Sequence, residues 1–260
     1  MSKKIGLALG AGGSRGLAHV GVIRAFEENN IPISCISGTS MGAAIGGMYV
    51  SGSDIHFLEK FLEEINEKMF FDFRIPRKGV IAGKRFEELL KMFTKNKGFE
   101  DLEIPFSCVA CDIVKGRKEV FTDGKLYPAI RCSISIPGAF EPYRYRGALY
   151  VDGAVVDRVP AEPCRELGAD FVIGVDVGYK GTPNKEPTNI VEVMRTTFDI
   201  MGWELAQARM VTADYMIMPD VTFINPYKVD TAKECIETGY RTAMEEMPKI
   251  KAVLQMNGII

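Results

Sequence analysis

Histidine is scarce: His19 and His56 are the only two in 260 residues. A serine triad of the usual kind draws its base from histidine, and neither of these follows a serine and an acid in the chain order of the α/β-hydrolases. His19 falls one turn into a helix after a glycine-rich loop and His56 falls in an amphipathic stretch, where packing or solvation accounts for each. Also missing is any uninterrupted apolar run approaching the ~20 residues of a membrane-spanning helix. Charge of one sign is absent too. The 32 basic and 34 acidic side chains leave a formal net charge of -2, too small to gather nucleic acid or anionic lipid over the whole surface.

The six cysteines, at 35, 108, 111, 132, 164 and 235, are scattered through apolar segments of a chain too long to need disulfide staples. Cys108 and Cys111 have redox or zinc spacing, but no second Cys or His pair accompanies them and they fall inside a strand-like run. Two buried strand residues are the expectation, with no metal and no cofactor. The start, two lysines followed by a short Gly-rich run interrupted by Arg15, lacks the cleavage region of a signal peptide. A cytoplasmic protein is expected, with any membrane contact peripheral and local.

With 47% hydrophobic and 25% charged residues, the rest of the chain is that of an ordinary globular protein. Ile5 to Leu9 predicts a strand, "GAGGSRG" a glycine turn and Leu17 to Asn29 a helix; "IPISCIS" then predicts a second strand and Met41 to Val50 a helix of small residues. This β-α-β-α order favours a parallel sheet covered by helices. Helices are expected at Ser53–Lys68, capped by Ser53-Asp54, and at Lys84–Thr94. Strands are expected in "PFSCVACDIV", "RKEVFTD", "ALYVDG" and "DFVIGVDV", with the β-α alternation reaching about residue 178. Beyond a polar linker come a long helix from Ile190 to Thr212, a short strand in "DYMIMPDV" and a mostly helical stretch from Thr231 to Met256 interrupted at Pro248. One domain is expected over 1–260, with a core at about 5–180 and a helical C-terminal portion at about 187–260.

Gly38-Thr39-Ser40-Met41-Gly42 stands between a predicted strand and a predicted helix, the setting of a nucleophile elbow. There the Ser takes a strained turn that projects its hydroxyl from the sheet, and Gly38 and Gly42 leave room for the close approach. "LGAGGSRGLAH" suits either phosphate cradling or an oxyanion hole. The second strand separates the two: a dinucleotide site wants a carboxylate at its end, whereas this one ends in the serine. The serine needs a base. With histidine scarce, a carboxylate at a strand end is the alternative; Asp152, followed by Gly153, is preferred, and Asp112, Asp157 and Asp176 remain open.

Taken together these segments resemble the patatin-like phospholipase family, especially its small bacterial members, nearly end to end: the glycine loop, "GTSMG", "SISIPGAF" and "YVDGAVVDRVPAEPCRELGAD" occur in the family's order. The resemblance implies a three-layer α/β/α fold around a mostly parallel sheet, and a serine lipid acyl hydrolase acting through a Ser40–Asp152 dyad without metal. It implies an oxyanion hole of N–H groups around Gly12, Gly13 and Ser14, with Arg15 as the loop's basic residue. Three positions depart from the family pattern: Ala11 replaces a glycine and would weaken the oxyanion hole if its backbone demands one, while Ala154 and Arg158 are expected to be peripheral to the chemistry. A lipid or other acyl ester is the expected substrate. Met69, Phe70, Phe71 and Phe73, beside Arg74, are the expected lipid contact. The alternatives are an inert adaptor on the same scaffold and a nucleotide-binding α/β protein.

Overall fold

The computed structural model describes residues 3–64, 81–178, 180–181, 186–188, 190–208, 212–224 and 230–260. Strands β1 (Ile5–Leu9), β2 (Cys35–Thr39), β3 (Phe106–Asp112), β4 (Arg117–Phe121), β5 (Tyr143–Tyr145), β6 (Ala148–Asp152), β7 (Phe171–Val175) and β8 (Tyr215–Ile217) form one sheet, paired along the path β5-β6-β3-β2-β1-β7-β8 with β4 also on β3. Among the described residues the α-helices are α1 (Ala18–Glu28), α2 (Met41–Val50), α3 (Ile55–Glu64), α4 (Lys84–Phe93), α5 (Leu126–Ser133), α6 (Ala161–Glu166), α7 (Ile190–Ala208) and α8 (Ala232–Met256).

Alternation along β1 divides the helices between two faces. Ile5, Leu7 and Leu9 enter the main core with α1, α2 and α8, while Ala8 joins Cys35, Cys164 and Val172 under α6. α2 is apolar all round and correspondingly buried along nearly its whole length. All six cysteines are free and buried, Cys108 and Cys111 within β3. The predicted cap of α3 is present: Asp54 Oδ1 accepts from the Phe57 N–H at 2.8 Å.

The pairings β1–β2, β1–β7, β2–β3 and β7–β8 are parallel. The expected β-α alternation breaks between residues 106 and 152, where β3–β4, β3–β6 and β5–β6 pair antiparallel. Tight turns with positive φ, at Gly116 and at Arg146-Gly147, return the chain directly and leave no room for crossover helices. At Pro248 the expected interruption is also absent, and α8 runs through it for 25 residues. Ala243, Met247, Ile250 and Leu254 are buried on both sides of the proline, so packing offsets the missing hydrogen bond.

Candidate active site

The register of β3 brings the two predicted site residues together. β2 pairs with Phe106 to Val109, β6 with Ala110 to Asp112, and β4 with Cys108 to Asp112. Since β4 overlaps both, β2 and β6 share the opposite edge of β3 and meet end to end, Thr39 opposite Val109 and Asp152 opposite Ala110. Both chains must leave the sheet where they meet. β2 does so through Ser40, whose φ of 56° and ψ of -124° place a non-glycine residue in a strained elbow at the start of α2. β6 does so through Asp152 and Gly153. A methyl on Gly153 would lie 2.2 Å from the Val109 carbonyl oxygen, and one on Gly42 would lie 2.2 Å from that of Leu9. Gly38 is similarly crowded by the backbone of Ala43.

At this junction Ser40 Oγ donates to Asp152 Oδ2 at 2.5 Å. The other carboxylate oxygen, Oδ1, accepts from the Ala154 N–H at 2.8 Å, and the Asp152 N–H donates to the Ser135 carbonyl at 2.9 Å, which fixes the acid's orientation. The Ser40 N–H donates to Ser133 Oγ at 2.8 Å, and that hydroxyl donates onward to the Val109 carbonyl at 2.6 Å. Ser40 and Asp152 are each 3% exposed. Burial pushes the Asp152 carboxyl up to about 7 against the opposing pull of its bonds from Ser40 and Ala154. The other strand-end acids have different partners. Asp112 accepts from Val114 and Lys115 within its own turn, Asp157 pairs with Lys118, and Asp176 pairs with Arg158.

The glycine loop forms the facing wall. Gly13 has φ 58° and Gly12 has φ -175° and ψ 8°, and among the described residues no acceptor takes the N–H of either. Ala11 lies outside the positive-φ region and its N–H donates to the Arg158 carbonyl at 3.0 Å. Its methyl is therefore accommodated, and the expected weakening of the loop has no structural basis. The Arg15 N–H donates to the Gly12 carbonyl and its Nε to that of Ile224 at 3.1 Å, which ties the loop to the 221–224 segment. Ser14 is buried behind the loop, with its carbonyl facing the Cys235 thiol.

His19, which sequence reasoning set aside, holds this loop in place. Its Nε2 donates to the Gly10 carbonyl at 2.8 Å, and complete burial lowers its pKa to about 4, so the ring is neutral at neutral pH. His56 is exposed on α3. Arg158, expected to be peripheral, lines the cavity; its Nη2 and Nε donate to Asp176 Oδ1 at 2.7 and 3.1 Å. Nothing local marks either role, because each depends on a partner from another segment. Met69, Phe70, Phe71 and Phe73 lie outside the described residues.

Above Ser40 is a cavity of about 130 Å³, walled by Gly12, Gly13, Asp152 and Arg158 and by the apolar groups of Ile136, Pro137, Val155, Phe198 and Leu205. Among the described residues no group of three His, Cys, Asp or Glu side chains is placed to hold a metal ion. An activatable hydroxyl, an adjacent carboxylate, open N–H donors and an apolar chamber are the parts needed for acyl transfer.

Comparison with known proteins gives a consistent result. A family model described as patatin-like phospholipase matches residues 7–165. A lysophospholipase of Neurospora crassa is 37% identical over 68% of this chain and 12% of its own length, and one of Pyricularia oryzae is 28% identical over 96% and 19%. An NTE family protein of Mycobacterium bovis is 35% identical over 71% of this chain and 52% of its own. The chain thus spans a fifth or less of the two fungal relatives and about half of the mycobacterial one. Among solved structures, VipD from Legionella pneumophila superposes with a TM-score of 0.67 at 14% identity, covering 95% of this chain and 67% of that one, which shows a shared fold.

Proposed function

Because the chain belongs to the patatin-like phospholipase family, we propose that it is a lipid acyl hydrolase working through Ser40 and Asp152. Asp152 accepts the Ser40 proton as Oγ attacks the ester carbonyl carbon. The negative charge gathering on the carbonyl oxygen is taken up by the N–H groups of Gly12 and Gly13 and by the positive end of α2. Collapse of the tetrahedral species breaks the bond to the leaving alcohol, which takes the proton from Asp152, and leaves the acyl group on Ser40. Water, deprotonated by the same carboxylate, then attacks the acyl-enzyme; the acyl–Oγ bond breaks, Ser40 Oγ takes the proton back from Asp152, and the fatty acid is freed. The substrate is an ester with an apolar acyl chain, for which Ile136, Val155, Phe198 and Leu205 supply the surroundings.

The observation that carries this reading is the 2.5 Å contact from Ser40 Oγ to Asp152 Oδ2 at the floor of that cavity. A base with a pKa near 7 holds its proton weakly enough to return it to a leaving group and strongly enough to remove it from a hydroxyl. Intact-mass measurement after exposure to a fluorophosphonate tests it. One adduct on wild type, absent from Ser40→Ala and slowed about 10²–10⁴-fold in Asp152→Asn, is the expected result. An unlabelled folded wild type, with and without lipid vesicles, would sink the reading and favour the adaptor.

A further inference from the structure

α7 differs from every other long helix of the protein: among its described side chains none is buried, although its composition is apolar. Met194 reaches toward Gly138, and the backbone at Gly202 faces Arg158, so the helix lies across the cavity with Phe198 and Leu205 turned into it. The outward face repeats at three- and four-residue spacing through Ile190, Val193, Thr197, Ile200 and Met201, apolar at each but Thr197. Ile190 is 72% exposed and Met201 52%; Glu204 is the one charged residue that falls in this sector.

Two observations connect that stripe to something beyond the protein. Met201 and Leu205 are both exposed and cavity-lining, so the outward apolar surface is continuous with the walls above Ser40. A second cavity, of about 280 Å³, sets Lys118 of β4 against Leu205 and Ala206, which puts the β3–β4 hairpin beside the C-terminal half of α7. That hairpin presents Val114, 77% exposed, just past the carboxyl end of β3. Met218, past the carboxyl end of β8, is exposed as well. Exposed apolar groups thus occur along the side of the sheet formed by the carboxyl ends of its parallel strands, the side on which Ser40 follows β2.

We propose that α7 and this rim form a docking surface for a zwitterionic lipid bilayer, with the helix lying in the interface plane and the Ser40 cavity opening into the acyl region. A long-chain ester then passes from membrane to cavity along apolar surface. The poverty of charge on the stripe selects a neutral or zwitterionic surface over an anionic one, and the two cations flanking Val114 on the rim each face a carboxylate, Lys115 that of Asp112 and Arg117 that of Glu119. The proposal deepens the hydrolase reading and rests on it for the substrate, though binding is measured separately from hydrolysis.

The test uses the whole chain with wild type and an Ile190→Ser/Val193→Ser/Ile200→Ser variant, none of whose positions lines the cavity. Co-sedimentation with phosphatidylcholine vesicles is expected to weaken at least about tenfold in the variant and, for wild type, to change little with salt. Trp203, the only tryptophan, lies on α7, so brominated phosphatidylcholine should quench wild type and leave the variant bright. Hydrolysis of a soluble short-chain ester should be unchanged while that of vesicle-borne long-chain ester falls with binding. Equal vesicle binding by the two proteins overturns the proposal, as does a wild-type dimer that the variant loses while vesicle binding stays. If wild type docks and the variant does not, yet neither is labelled by fluorophosphonate, the docking surface stands and the hydrolase reading falls.

Discussion

The two walls of the cavity are built on opposite principles. On one side, the elbow, the glycine loop and the end of β6 are locked into the sheet by backbone contacts closer than a methyl group allows. On the other side, α7 carries no buried side chain among those described, whereas α8 carries eight. Placing a nucleophile and base within a hydrogen bond demands a rigid frame; admitting a long flexible acyl chain does not. Under the proposed chemistry, the molecule puts its packing where reaction geometry is set and leaves its exposed apolar surface where a substrate arrives.

Matched glycine substitutions sharpen the contrast most. Gly42→Ala drives a methyl to 2.2 Å from the Leu9 carbonyl oxygen, and a cost of about 3 kcal/mol or more is expected, measured by denaturant unfolding of any folded material. At Gly202 of α7 the nearest group from outside the helix, among the described residues, is Arg158 Cδ at 3.9 Å from the same added carbon. Comparable losses at both positions would break the contrast.

Next comes pH. Asp152 has a folded pKa near 7 against an ordinary 3.8, so folding takes up a proton between those values and stability is lost as pH rises through that window. In Asp152→Asn this contribution disappears, and the variant should exceed wild type at neutral pH by up to a few kcal/mol in unfolding free energy. Activity runs the other way, rising as Asp152 ionises, with a midpoint near 7 in kcat/KM. A pH-independent difference between the two unfolding curves would place the titration elsewhere.

Smaller effects follow at the loop anchor. His19→Leu leaves the Gly10 carbonyl without its donor, which is expected to cost about 1–3 kcal/mol and to lower kcat more than it changes KM. The smallest has the opposite sign: Gly202→Ala should stabilise by about 0.5–1 kcal/mol, since it removes a helix-interior glycine where the added methyl meets Arg158 Cδ at an ordinary contact distance of 3.9 Å. Melting temperatures of the two variants measured together bracket the contrast from both sides.

What the sequence discloses here is what local chemistry controls. Gly38 and Gly42 around Ser40, strand-length apolar runs and the small-residue helix after the elbow all declare themselves within a few residues. The acid is less local. A strand end followed by glycine suits Asp152, but Asp112, Asp157 and Asp176 share much of that description until their partners Val114, Lys118 and Arg158 are seen. His19, Ser133 and Arg158 act through hydrogen bonds to Gly10, Ser40 and Asp176, and no periodicity announces those pairings. Pro248 misleads for a related reason, because burial on both sides of it overrides the intrinsic preference of proline.

The head-to-head meeting of β2 and β6 on one edge of β3 also bears on how the chain matures. Ser40 and Asp152 are 112 positions apart, and their contact requires both strands to have found register on β3. Closure over so long a separation comes late in folding, once the local helices and hairpins have formed. Under the proposed chemistry, a nascent or partly folded chain therefore carries no working hydrolase, and covalent labelling of Ser40 during refolding would serve as a clock for the final step of assembly.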